Sequence, residues 1–210
     1  MLLSRSRILA PVAAPAAGAT FGALAPLLGT VGNPAGHAAH LVLSAGWAWA
    51  ALAFCVGLTR RSKAESVLLA AATLLVAVLA YYLVKLGQGE YLTADLNDPS
   101  GGTGQVSWGS FLSKTFVWGL AACLAGPALG WAGNMARNSG FRGLPFRLLV
   151  PLIALIESTQ RLRVEAALQG AVAGTTWNAV RLVAAAVIIA LVAHTLLTRR
   201  PRTSTGRARE

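Results

Sequence analysis

Acidic residues are scarce in this chain: only seven Asp and Glu occur among 210 residues, and charges of both signs make up 12% of it. A water-soluble domain carries about 25% charged residues. A chain that is 55% hydrophobic and so poor in charge lacks the polar surface to cover itself in water. That shortage argues against a soluble globular domain and for an integral membrane protein. Cysteine is nearly absent as well. Cys55 and Cys123 both lie in apolar runs, without a CxxC unit or zinc-ligand spacing, and read as small buried hydrophobes. Catalytic signatures are missing too. There is no HExxH, no GxSxG, no Asp pair within an apolar run and no nucleophile–base pairing. No Gly-Lys-Ser/Thr follows the GGTG stretch, which excludes a phosphate loop of that type. An intramembrane enzyme therefore finds no support, and no cofactor is implied.

What the chain does have is apolar length. Six runs stand out, at about 8–30, 38–58, 66–86, 111–133, 144–163 and 179–198. About 20 residues at 1.5 Å rise cross a hydrocarbon core of ~30 Å. The runs are too long and too uniformly apolar for barrel strands, which alternate. The expected fold class is all-α: a single polytopic bundle of six transmembrane helices with no internal repeat. The first run follows Arg5 and Arg7 and has Ala-rich cleavage-like sites, as a signal peptide would, but its apolar length favours a retained helix.

The net charge of +11 would suggest nucleic acid in a soluble protein. No basic face here carries interleaved aromatics, so nucleic-acid binding is excluded as a reading. The basic residues cluster between the apolar runs instead. With the N-terminus in the cytoplasm and the spans alternating, the inner side collects Arg5 and Arg7, then Arg60, Arg61 and Lys63. It also collects Arg137, Arg142 and Arg147, and finally the tail arginines 199, 200, 202, 207 and 209. The outer side keeps only Lys85, Lys114, Arg161, Arg163 and Arg181. This is the positive-inside pattern of a plasma-membrane protein with both termini cytoplasmic. The same count bears on the fifth run, in which Glu157 stops nine apolar residues, Leu148 to Ile156. If that run did not cross, the five-arginine tail would lie outside, against the rule. The tail, 199–210, is expected to be disordered and to touch anionic lipid.

Two rows of small residues recur at spacing four. One is Ala14, Gly18 and Gly22; the other is Ala122, Gly126, Gly130 and Asn134. Such rows let helix backbones approach closely, within the chain or against a second copy or a partner subunit. Pro127 lacks a backbone donor and should kink its helix. The loop at 87–109 carries Glu90, Asp95 and Asp98 without a basic residue. It lacks the twelve-residue calcium pattern and reads as a solvated outer loop. His37 and His40, three apart, offer a weak metal signal, and interfacial polar residues are the commoner explanation. Trp108, Trp131 and Trp177 lie near span ends, as in an aromatic belt. Trp118 and the Tyr81–Tyr82 pair lie deeper, where they could line a cavity.

Glu157 is the awkward residue. It lies ten residues beyond Arg147, about 15 Å further along the helix, near the bilayer centre. A charge there costs about 2.5–3.5 kcal/mol on insertion scales and normally has a partner. Arg161, at i+4, is placed to meet it. Arg147, Pro151, Ala154, Ser158, Arg161 and Glu165 share a stripe expected to face inward, with Glu157 at its edge. Three readings stay open: an interfacial pair on a tilted helix, a buried structural ion pair, or a site for solute or protons. The candidate polar cavity comprises Glu157, Arg161, Tyr82, Lys85 and Trp118.

The segments NPAGH, RRSK, YYLVK, FLSKTFVWGLAACLAGPALGWAG and LIALIES resemble a family of small, uncharacterised, multi-helix actinobacterial membrane proteins. The resemblance covers roughly Phe21 to Val192, and its motifs are short and rich in Ala and Gly. It implies an inner-membrane location and no established activity. The functional expectation is a solute-binding or transport-type protein with an outward-facing polar cavity. The alternative is a structural or regulatory membrane protein without a small-molecule site.

Overall fold

The computed structural model describes residues 3–94, 104–164 and 166–198. They are almost wholly helical. In chain order the elements are α1 (Leu3–Gly29), α2 (Pro34–Leu43), α3 (Gly46–Thr59), α4 (Lys63–Gly87), β1 (Leu92–Ala94), β2 (Gly104–Val106), α5 (Trp108–Met135), α6 (Leu144–Val164) and α7 (Ala166–Leu197). Four stretches are long and apolar enough to cross a membrane: Val12–Gly29, Lys63–Gly87, Trp108–Met135 and Gly170–Leu197. The pair α2–α3 makes a fifth if taken as one span bent by 60°. By composition α6 is not among them.

The run at 38–58 is therefore not one helix. It breaks at Ser44 and Ala45, in the sequence LVLSAGWAW. Ser44 and Gly46 flank Ala45, and Gly/Ser pairs are where helices bend sharply. Asn33 starts α2, its Oδ1 accepting the Gly36 N–H at 2.7 Å. The last run also begins earlier than its hydropathy suggests. The segment AVAGTTWN lies ahead of that run, yet the Thr175 and Thr176 hydroxyls donate to the carbonyls of Ala171 and Val172 within the helix. At Gly170 the backbone turns through φ 80°, a conformation suited to glycine.

The helix α4 is the hub, and both small-residue rows close onto it. Cβ atoms at Gly18 and Gly22 would strike the carbonyls of Thr73 and Ala77, so α1 runs parallel to α4. Gly126 meets Ala71 and Gly130 meets Ser66, so α5 runs antiparallel. The four glycines of these rows are thus packed inside the chain. The helix α5 is continuous through Pro127.

One end of the bundle is tied by basic and amide side chains. Asn134 Nδ2 donates to the Arg60 carbonyl at 2.8 Å and to Ser66 Oγ at 3.1 Å. Arg137 donates to the Arg60 carbonyl at 3.0 Å, and Arg147 Nε to the Ala136 carbonyl at 2.8 Å. These arginines satisfy carbonyls that the ends of α3 and α5 leave open.

At the opposite end, the segment at 87–109 is not a plain loop. Leu92–Ala94 pairs antiparallel with Gly104–Val106, and Ser107 N–H donates to the Tyr91 carbonyl at 2.8 Å. Buried Tyr91 packs edge-on against Phe111, which anchors the hairpin. Asp95 and Asp98 lie outside the described residues, as does the basic tail. Cys55 and Cys123 are exposed on the bundle rather than buried in it, on outward faces of α3 and α5 where an apolar thiol suits an apolar surrounding.

Candidate functional site: a capped helix break beside a cavity

The break between α2 and α3 would leave backbone groups unsatisfied within an apolar span, which lipid does not tolerate. Each side of it has a side-chain partner. On the α2 side, Trp49 Nε1 donates to the Leu43 carbonyl at 2.9 Å. On the α3 side the residue before the helix is Ala45, which has no capping side chain. Glu157 of α6 supplies the missing acceptor. Its Oε1 accepts the Gly46 N–H at 3.0 Å, and its Oε2 accepts the Trp47 N–H at 2.8 Å. A helix N-terminus carries a partial charge of about +0.5, so a carboxylate suits it.

Arg161 completes the arrangement. Its Nε donates to Glu157 Oε1 at 2.9 Å, and its guanidinium lies over the Trp177 ring, 4.8 Å from the centroid. The contact of residue 161 with residue 177 means that the chain doubles back near Gly170 and that α7 runs beside α6. Trp177 is fully buried with Leu41, Ala45 and Ala173. It is not a belt residue: it is the apolar floor under the guanidinium. Of the stripe expected to face inward, Ala154 and Ser158 are buried and Arg147, Pro151 and Arg161 half-buried, while Glu165 lies outside the described residues.

Beside this pair lies a cavity of about 580 Å³ between α3, α4, α5 and α6. Glu157, Arg161, Ser44 and Gly46 form its polar end. Trp49, Leu74, Val78, Tyr81 and Tyr82 wall it from α3 and α4, and Trp118, Ala121, Ala122, Ala125 and Leu129 from α5. Phe21, Trp49, Tyr81 and Tyr82 form an edge-to-face chain with successive centroids 5.6, 5.9 and 5.2 Å apart, which stiffens that wall. Ligand pockets typically enclose ~300–1,000 Å³ and are mostly apolar with a few polar groups, and this cavity has both properties.

Of the five residues expected around a cavity, the fold brings four together: Glu157, Arg161, Tyr82 and Trp118. Lys85 is elsewhere. Its ammonium pairs with Glu90 at 2.7 Å, beyond the end of α4, and lies over the Tyr81 ring. The five-residue spacing to Glu90 and the short turn between them are the signal that points there. His40 Nδ1 lies 2.6 Å from the Ala25 carbonyl, which ties α2 to α1. Among the described residues no three His, Cys, Asp or Glu side chains gather in a way that could hold a metal ion. The helix break, the capping of α3 by Glu157 and the role of Trp177 were not anticipated from sequence. The pair Ser44 and Gly46, flanking Ala45 inside an otherwise apolar run, is the one local sign of the first.

The class that the fold and the cavity define is an all-helical chain with four helices long and apolar enough to cross a membrane and a charged pair set at the break between α2 and α3. No family model, no curated protein and no solved structure matches the chain.

Proposed function

We propose that the protein is a solute-binding or transport-type protein of the plasma membrane, crossing six times with both termini cytoplasmic. The observation that carries the functional reading is the placement of Glu157 and Arg161 at the polar end of an otherwise apolar cavity, against the N-terminus of a half-helix. Discontinuous membrane helices whose ends face a cavity near mid-membrane are how transporters build substrate sites. The crossing of α6 is supported by its 21 residues, about 31 Å of helix, and by its run alongside α7. The inward orientation of the end bearing Arg60, Arg137 and Arg147 rests on the positive-inside rule.

Topology has a direct test. In a variant lacking Cys55 and Cys123, Thr93→Cys and Arg163→Cys should react with a membrane-impermeant maleimide on intact cells. Ser139→Cys should react only after permeabilisation. Labelling of Arg163→Cys only after permeabilisation would leave α6 on the inner side and remove the sixth crossing.

Binding is tested by a thermal-shift screen of small solutes on the purified chain. A ligand at 100 times its Kd adds about 2.7 kcal/mol of stability. A solute that raises the melting temperature of the wild type should lose that effect in Trp118→Ala. That change trims the cavity wall at a position 57% exposed, so the unliganded melting temperature should hold. A shift that survives in Trp118→Ala would place the solute elsewhere.

The structural alternative is favoured by one observation: Glu157 already accepts three hydrogen bonds within the chain. Under that reading Glu157→Gln and Arg161→Gln together restore stability lost in Glu157→Gln alone, and no solute shifts the melting temperature.

A further inference from the structure

The proposed solute site has an unusual entrance. The helices α5 and α6 barely touch. At the tied end Trp131 meets Phe146 at 5.3 Å and Arg147 meets the Ala136 carbonyl. Away from that end the two helices diverge, and the cavity sits in the mouth of the V. Its α4 wall is closed: Leu74, Val78 and Tyr82 are 4%, 5% and 7% exposed. Its α5 wall is not, since Trp118 is 57% exposed and Ala125 is exposed. The rim is apolar on both sides. No charged residue occurs from Thr115 to Met135 on α5 or from Leu148 to Ile156 on α6. Leu120 and Leu124 on α5 and Leu152 and Ile156 on α6 are exposed as well.

Resting on the solute-binding reading, we infer that the ligand is an amphiphile drawn from the bilayer itself. It enters sideways between α5 and α6, with an uncharged hydrogen-bonding head, such as a hydroxyl or amide, at Glu157 and an apolar body along Trp118 and Tyr82. A polar solute gains little from an apolar rim of this kind, whereas an amphiphile can lay its apolar body along it. The head chemistry follows from the charge balance. Glu157 and Arg161 neutralise each other, and the α3 N-terminus adds only a partial charge. A charged head would therefore enter an apolar site without a counter-ion, at a large cost. A carboxylate offers about four acceptor positions. Three are used by Gly46, Trp47 and Arg161, so one remains for a neutral donor. Ser44 also lines this end of the cavity, and its Oγ lies 3.4 Å from His40 Nδ1.

The test uses the full chain in phosphatidylcholine nanodiscs and three probes with one body: pyrenyl-decanol, pyrenyl-decanoic acid and pyrenyl-decylammonium. Energy transfer from tryptophan to pyrene reports proximity. The alcohol should give a saturable component above the non-saturable background of dissolved probe. The acid and the ammonium should bind at least about tenfold more weakly, a difference of ~1.4 kcal/mol. Ala125→Phe fills the exposed mouth without touching Glu157, so it should melt like the wild type and lose the saturable component. Equal, non-saturable transfer from all three probes would overturn the inference, and tighter binding of either charged probe would overturn the assignment of the head. If water-soluble solutes shift the melting temperature and Ala125→Phe abolishes that shift while the alcohol fails to saturate, the cavity reading stands and sideways entry falls. If no probe or solute binds and Ala125→Phe turns a dimer into a monomer, the cleft is a contact between copies, and both readings fall.

Discussion

Glu157→Ala should lower the free energy of unfolding by about 2–4 kcal/mol, measured by SDS titration of the purified protein. Two effects combine. The Gly46 and Trp47 N–H groups lose their acceptor, and hydrogen bonds to charged groups are worth about 1.5–3 kcal/mol each. Arg161 also loses its bond to this carboxylate, and breaking a buried pair costs about 3–5 kcal/mol. That second figure is discounted here because the Arg161 side chain keeps 28% of its exposure. Glu157→Gln should fall between wild type and alanine. Its amide oxygen still serves one N–H of α3, while its NH2 meets donors only. A double-mutant cycle with Arg161→Gln isolates the pair from the helix cap. A loss below about 1 kcal/mol for Glu157→Ala would mean that water satisfies α3 and that the pair lies at the membrane interface.

Gly130→Val should be more damaging still, at or beyond about 5 kcal/mol, seen as loss of monodisperse protein on extraction. Gly130 is where three helices meet. A Cβ there would strike the Ser66 carbonyl and come within 2.6 Å of the Ala70 Cβ, and the Gly130 carbonyl itself lies where a Gly57 side chain would be. Neither neighbour is a flexible side-chain end, so α5 must move as a body. That movement also pulls Asn134, one turn on, from Ser66 and the Arg60 carbonyl. The matched control is Gly119→Ala, where the nearest atom outside the helix is Leu75 Cδ2 at 3.9 Å. Alanine there should be neutral or stabilising by up to ~1 kcal/mol, from helix propensity alone. Equal effects at the two glycines would contradict the close crossing.

Much of the scaffold was readable from residue order. Hydropathy marked the apolar runs because each side chain carries its own transfer energy into lipid, wherever its neighbours are. The rows Gly18–Gly22 and Gly126–Gly130 announced close helix crossings, because spacing four puts small residues on one face. Glu157 stood out by its cost, and Arg161 by its distance of one turn. Other features fail to appear in a linear reading because their partners are remote. Trp47 and Glu157 are 110 positions apart. Lys85 looks like a cavity residue by depth, yet the turn after α4 brings Glu90 to it first. Trp177 looks interfacial by position, yet the reversal at Gly170 buries it under Arg161.

A membrane address, a helical fold and a costly carboxylate are properties of local composition, and composition is written in one dimension. The break between α2 and α3 has no local remedy on its α3 side, since Ala45 offers no cap. Only the packing of α6 against α3 provides one, because a backbone N–H in an apolar span must find its acceptor wherever the fold brings it. That meeting turned a charge pair on one helix into the polar end of a cavity shared by four.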